Sequence, residues 1–226
     1  MSEKVRHIDL SHIIEDGMVT YKGFPAPMIC DWLSRVDSRS RYEAGTEFQI
    51  GRIDMVANTG TYIDSPFHRY ADGIDVSGLP LENLAGVECA VVRIDEDVMS
   101  IGPDCFNALD FRGKAVLVNT RWDRHWRTEQ YFEGHPHLGE ASARRLIEGG
   151  AVLVGIDSYN IDSTANGSRP VHTLLLGKGI PIIEHMCNLD QVPDTGALLT
   201  AAPLAVRGMG SFPVRAFATI PWESGR

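Results

Sequence analysis

The sequence lacks any paired-cysteine motif. Cys30, Cys89, Cys105 and Cys187 lie far apart and no C-x-x-C occurs. That argues against a disulfide framework or a thiolate zinc module, and predicts reduced, mostly buried thiols in a cytoplasmic protein. Long apolar runs are missing too, none approaching the ~20 residues that span a bilayer. The opening Met-Ser-Glu-Lys-Val-Arg-His is charged and no apolar stretch follows it, so neither a signal peptide nor a membrane partner is expected. Basic charge is scarce. With 21 Lys and Arg against 30 Asp and Glu, the net charge is −9, which repels phosphate backbones and excludes nucleic acid as an expected partner. Repeats, low-complexity tracts and linkers are absent as well. The 226 residues, 43% of them apolar, are therefore expected to form one domain, 1–226.

Strand signals outnumber helix signals. Residues 8–14 read as an opening strand. Residues 18–46, with Gly23, Pro25, Pro27 and Gly45, read as a long loop able to cover a site. In 47–57, Phe48, Ile50, Ile53 and Met55 alternate, with a slip near Gly51 that suits a bulge. The β-branched runs 89–94, 115–119 and 151–156 suit central strands covered on both faces. The clearest helix is 139–148, stopped by Gly149-Gly150, followed by a short helix 171–176 opened by Pro170. Residues 180–183, 204–206 and 214–218 suggest further strands. The expected fold class is α/β, with a mixed sheet and few helices.

Two segments carry chemistry. In Asn58-Thr59-Gly60-Thr61-Tyr62-Ile63-Asp64-Ser65-Pro66-Phe67-His68, Gly60 and Pro66 predict a shaped turn rather than a continuing strand. A carboxylate and an imidazole on one short loop can bind a divalent metal or work as an acid/base pair. The second segment runs from His172 through an apolar helix to Glu184, which interrupts an apolar strand. A glutamate buried there needs a hydrogen bond, a counter-charge or a metal. His185 should face away from Glu184 by strand alternation, outside the site. The aromatic- and histidine-rich stretch 122–137, with His125, His135 and His137, reads either as an ordered surface loop or as a pocket wall offering a replacement ligand. Arg121, Arg124 and Arg169 are candidates for a carboxylate fork.

Together these blocks resemble the cyclase-type metal-dependent hydrolases, the family of bacterial kynurenine formamidase and isatin hydrolase. The family pattern H-x-G-T-H-x-D-x-P-x-H reads here as Asn58-x-Gly60-Thr61-Tyr62-x-Asp64-x-Pro66-x-His68. His172, Gly179-Ile180 and Glu184 resemble its later block, and Asp9-Leu10-Ser11, Tyr21, Gly155-Ile156-Asp157 and Asp162 fall in order around them. The resemblance implies a swivelling β/β/α-type fold, metal held by Asp64, His172 and Glu184, His68 as general acid/base, Tyr21 against the substrate, and a homodimer or homotetramer. It also exposes a departure. The family's first two histidines, which hold one metal of a pair, are Asn58 and Tyr62 here, so one zinc or manganese ion is expected rather than two. Both are then free to contact substrate.

The expected function is hydrolysis of a small amide, lactam or lactone, with water activated by the metal and His68 moving the proton. Two alternatives stay open. One is a metal-independent cyclase, dehydratase or isomerase using Asp64, His68 and the Tyr62 phenol. The other is a non-catalytic binding homologue.

Overall fold

The computed structural model describes residues 4–95 and 97–221. Its strands are β1 (Val5–Asp9), β2 (Met28–Leu33), β3 (Ile50–Asp54), β4 (Tyr62–Asp64), β5 (Ala85–Arg93), β6 (Ser100–Ile101), β7 (Ala115–Asn119), β8 (His137–Leu138), β9 (Leu153–Ile156), β10 (Ile182–Glu184), β11 (Ala197–Thr200), β12 (Ser211–Pro213) and β13 (Phe217–Pro221). The helices are α1 (Arg35–Ser38), α2 (Glu140–Gly149) and α3 (Pro170–Gly177). Nine strands form one mixed sheet in the order β1-β13-β11-β5-β7-β9-β10-β4-β12. Its centre, β5-β7-β9-β10, is parallel and both flanks are antiparallel. The strand-rich α/β class is as the sequence implies.

Alternation along β7 shows how the sheet is covered. Val116 and Val118 face a cluster containing Phe106, Phe111, Leu146 and Leu175, where α2 and α3 pack. Ala115 and Leu117 face the other way, into a cluster with Ile8, Ile63, Ile183, Leu199 and Ala218. Strands from both flanks of the sheet meet in that second cluster. The helix α2 buries Ala143 and Leu146 and ends at Gly150, whose φ of 82° is the left-handed conformation a helix stop requires.

Several expectations need correcting. The stretch 204–206 is not a strand; the tail instead forms β11, β12 and β13. The opening strand is shifted to Val5–Asp9, and residues 62–64 pair as a short strand before the turn at Pro66. The 18–46 stretch is not loop throughout, since it contains β2 and α1. The alternating segment becomes β3, but all its residues are exposed. Among the described residues it pairs only with β2, in a two-stranded ribbon that shows Met28, Ile29, Trp32, Ile50 and Ile53 to solvent. Alternation usually reports one buried face; here every residue of the strand stays exposed among the described residues. The irregularity near Gly51 is present, but the extra residue sits opposite it, between Asp31 and Leu33. Two of the four free thiols, Cys30 and Cys105, are exposed. Among the described residues no helix is long and apolar enough to cross a membrane.

Candidate active site

Strand register builds the floor of the site. On the β12-β4-β10 edge, Glu184 lies opposite Tyr62, and Asp64 lies opposite Ser211. Tyr62 and Asp64 are two residues apart, so their side chains share one face. It is the face under α3, because Ile182, on the same side of β10 as Glu184, belongs to the helix-side cluster. Cross-strand neighbours lie about 4.5–5.5 Å apart at Cβ, and both pairs are bonded. Tyr62 Oη donates to Glu184 Oε2, and Ser211 Oγ donates to Asp64 Oδ1. All four side chains are buried.

The third wall is the start of α3. Asp162, fully buried, accepts from the N–H of Val171 at 2.8 Å and of His172 at 3.0 Å, capping the helix. The same carboxylate lies 2.7 Å from His172 Nδ1. That contact places the Nδ1 proton and turns Nε2 inward. His172 Nε2 is 3.6 Å from Asp64 Oδ2 and 3.7 Å from Glu184 Oε1. Among the described residues, Asp64 Oδ2 is buried without a hydrogen-bond partner, and Glu184 Oε1 accepts only the Ile161 N–H at 2.6 Å.

His68 stands at the rim. Its side chain is 37% exposed, and its Nδ1 is 2.9 Å from Ser211 Oγ and 3.7 Å from Asp64 Oδ1. Because Ser211 gives its proton to Asp64, it accepts from His68 Nδ1–H, which leaves the Nε2 lone pair free. The turn is held by close backbone contact. A Cβ on Gly210 would meet His68 Cα at 2.6 Å, and one on Gly73 would meet the Pro66 carbonyl carbon at 2.6 Å.

The electrostatics favour a cation. Burial pushes the Glu184 carboxyl up, and nearby Asp64 adds to this. On His172 burial pulls down, but the charge on Glu184, the bond to Asp162 and the nearby Asp64 carboxylate outweigh it and carry its pKa up to about 10. The buried carboxylates around His172 thus hold positive charge on the imidazole, the property that also attracts a metal ion. Asp64, His68 and His172 each offer a ligand atom, all within 4.8 Å of one another, and Glu184 Oε1 adjoins them. The donor set and the orphaned Asp64 oxygen fit a divalent ion bound by nitrogen and oxygen.

The remaining candidates divide. Tyr21, Phe24, Asn58, Tyr62 and Arg169 line a cavity of about 360 Å³ that also holds His68, His172 and Glu184. Tyr62 is not a free phenol, since its hydroxyl is bonded to Glu184 and lies 2.8 Å from Tyr21 Oη. Asn58 Nδ2 donates to Ser211 Oγ at 3.3 Å. His185 is not turned away: β10 ends at Glu184, His185 takes a left-handed φ of 56°, and its Nε2 lies 3.3 Å from Tyr21 Oη. The 122–137 stretch supplies no replacement ligand. His135 is bound to Pro136 O and Thr164 Oγ1, and His137 to His135 O. Trp122, Trp126 and Tyr131 pack behind Tyr21, Tyr159 and His185. Arg121 and Arg124 do not line the cavity. Ser211 carried no sequence signal beyond its neighbour Gly210.

A family model described as "Putative cyclase" matches residues 8–163. Kynurenine formamidase of Bacillus cereus is 30% identical over 210 residues, covering 92% of this chain and 95% of that one. Among solved structures, "potential metal-dependent hydrolase with cyclase activity" aligns with a TM-score of 0.79 at 27% identity, covering 97% of this chain and all of that one. Isatin hydrolase A from Labrenzia aggregata aligns with a TM-score of 0.80 at 23% identity, over 96% and 94%; at that identity the likeness is one of fold. The chain belongs to the cyclase family. Within that family its full-length relatives include kynurenine formamidases.

Proposed function

We propose that the chain is a metal-dependent hydrolase of small amides, lactams or lactones, resembling kynurenine formamidase. Asp64, His172 and Glu184 hold one zinc or manganese ion, and His68 is the general acid/base. The observation that carries this is His172 Nε2, aimed by Asp162 at the partnerless Asp64 Oδ2 and at Glu184 Oε1. When bound, the ion supplies Lewis acidity, lowering the pKa of water and polarising the substrate carbonyl.

The chain's own residues do the rest. The Asp64–Ser211–His68 hydrogen bonds place the proton of the neutral His68 ring on Nδ1 and leave Nε2 to accept at the cavity. That nitrogen accepts a proton from water as the water oxygen bonds to the carbonyl carbon. It returns the proton to the amide nitrogen as the C–N bond breaks. Tyr21 and Phe24 offer aromatic surface to a small ring. A second ion on the far side of Glu184 is disfavoured, because the Tyr62 and Tyr21 hydroxyls cover Oε2 there. The metal-independent alternative is weaker, since it needs Tyr62 as a free donor and that hydroxyl is committed to Glu184.

The test is hydrolysis of a panel of aryl formamides, lactams and lactones by the metal-loaded enzyme, with H68A and E184A beside it. H68A should retain stoichiometric metal and lose turnover; E184A should lose both. Unchanged hydrolysis in both variants overturns the assignment. Loss of metal from H68A instead puts His68 in the ligand set.

A further inference from the structure

The second oxygen of Glu184 ends a hydrogen-bond chain whose direction can be worked out link by link. Tyr62 Oη donates its only proton to Glu184 Oε2. It must then accept from Tyr21 Oη, 2.8 Å away. The other acceptors near Tyr21 Oη, the Tyr159 carbonyl and Glu184 Oε2 itself, are more distant at 3.2 and 3.4 Å. With its proton given to Tyr62, the Tyr21 oxygen keeps two lone pairs. Asn160 Nδ2 fills one at 3.3 Å, and His185 Nε2 lies beside the other at 3.3 Å. Asn160 is oriented by its own Oδ1, which accepts the Asp162 N–H at 3.0 Å and so turns the NH₂ group to Tyr21.

The His185 tautomer follows from the same accounting. The ring is fully buried, and burial keeps it neutral, with one N–H. Among the described residues Nδ1 has no hydrogen-bond partner. A proton there would be an orphaned donor, and the bare Nε2 would draw the Tyr21 proton away from Tyr62. The proton belongs on Nε2, where Tyr21 Oη accepts it. Every link then points the same way, from His185 and Asn160 to Tyr21, to Tyr62, to Glu184. Bonds aligned in series polarise one another.

We propose that Tyr21 and His185, with Asn160 as the second donor, are positioning residues for Glu184. Their chain keeps Oε2 engaged from behind, so that Oε1, 3.7 Å from His172 Nε2, is the oxygen presented to the ion. This rests on the hydrolase reading above. The Tyr21 ring still lines the cavity; its hydroxyl serves the carboxylate rather than the substrate.

The experiment is zinc affinity, measured by competition with a chromophoric chelator, in Y21F, H185N and H185Q. Y21F keeps the ring and removes the hydroxyl. H185N puts an amide where Nδ1 stood, out of reach of Tyr21, and asparagine tolerates the left-handed φ of 56°. H185Q puts an amide where Nε2 stood and restores the donor. Y21F and H185N should each bind zinc about tenfold more weakly, the lower end for outer partners of a metal ligand, while H185Q stays within about twofold of wild type. At saturating zinc Y21F should keep KM within about twofold, because the ring surface is retained. Equal zinc affinity in all three variants overturns the proposal. So does a raised KM in Y21F with zinc affinity intact, which gives the hydroxyl to the substrate. An H185Q as weak as H185N leaves His185 only a packing role and overturns its assignment. Nitrogen-15 NMR of the metal-free protein needs neither ion nor turnover. The imidazole resonances lost in H185Q should report a proton on Nε2, and a proton on Nδ1 overturns the direction of the chain. Turnover separates this inference from the function it rests on. If zinc binding weakens as expected but no aryl formamide, lactam or lactone is hydrolysed by wild type, the hydrolase reading falls and the positioning role stands. If wild type hydrolyses them and every variant binds zinc as wild type does, the positioning role falls and the hydrolase stands.

Discussion

Replacing Asp162 with asparagine tests the site through a residue that touches neither substrate nor ion. Asp162 accepts two helix N–H bonds and orients His172 through Nδ1. Asparagine keeps the shape, but only one of its polar atoms can accept. If its oxygen stays on Val171 N–H, its NH₂ group faces His172. The imidazole then answers by accepting at Nδ1 and carrying its proton on Nε2. That tautomer has no lone pair for a cation between Asp64 and Glu184. Outer partners of this kind are worth roughly 10–100-fold in metal affinity, and a reversed tautomer places D162N near the upper end. The His172 N–H also loses its acceptor, costing about 1–3 kcal/mol, or a Tm drop of several degrees at ~2–4 °C per kcal/mol for a chain of this size. Competition against a chromophoric chelator measures the affinity, and melts with and without metal measure the rest. An exposed carboxylate, Asp190, serves as the control in D190N. A folded D162N that binds zinc within twofold of wild type would refute His172 as a ligand.

Three further outcomes are expected. S211A should lower kcat about tenfold with KM little changed and shift the acid limb of the pH profile, because a misaligned base loses part of its contribution; an unchanged kcat and profile removes Ser211 from the relay. Y62F should destabilise the metal-free protein by about 1–3 kcal/mol in urea unfolding, since the buried Glu184 loses the Tyr62 hydroxyl as a donor; no change in midpoint would count against that bond. Acid should destabilise the fold through His12 and His135, each held down to about 4 by burial. Unfolded, these rings titrate near 6.5, so below that the unfolded chain binds more protons. Stability then falls between about pH 6.5 and 4, by up to roughly 1.4 kcal/mol per pH unit for each ring. Urea midpoints across that range should flatten in the H12Q/H135Q double variant, and an identical slope would discount both.

What was legible in the sequence follows from how local each signal is. The central strand β7 and helix α2 were plain, because a β-branched run and a Gly-terminated amphipathic turn state their own structure. Asp64 and His68 stood out through their spacing around Pro66, and Glu184 through its apolar surroundings. Ser211 did not, because its importance arises only when β12 pairs with β4, more than 140 residues away along the chain. His185 was misjudged because alternation holds only while a strand continues, and this strand stops one residue earlier. The ribbon of β2 and β3 misled in another way. Its alternation is genuine, but among the described residues neither face of β3 is buried.

The register of the β12-β4-β10 edge has an effect reaching beyond packing. Ile63 and Ile183 pair across it and point into the apolar side, while Tyr62, Asp64 and Glu184 point the other way. A slip by a single position would send Asp64 and Tyr62 into hydrocarbon and deliver isoleucine to the cavity. Two aliphatic side chains that never meet a ligand therefore act as the alignment pins of the chemistry, and repacking beneath them would detune turnover before it unfolded the molecule.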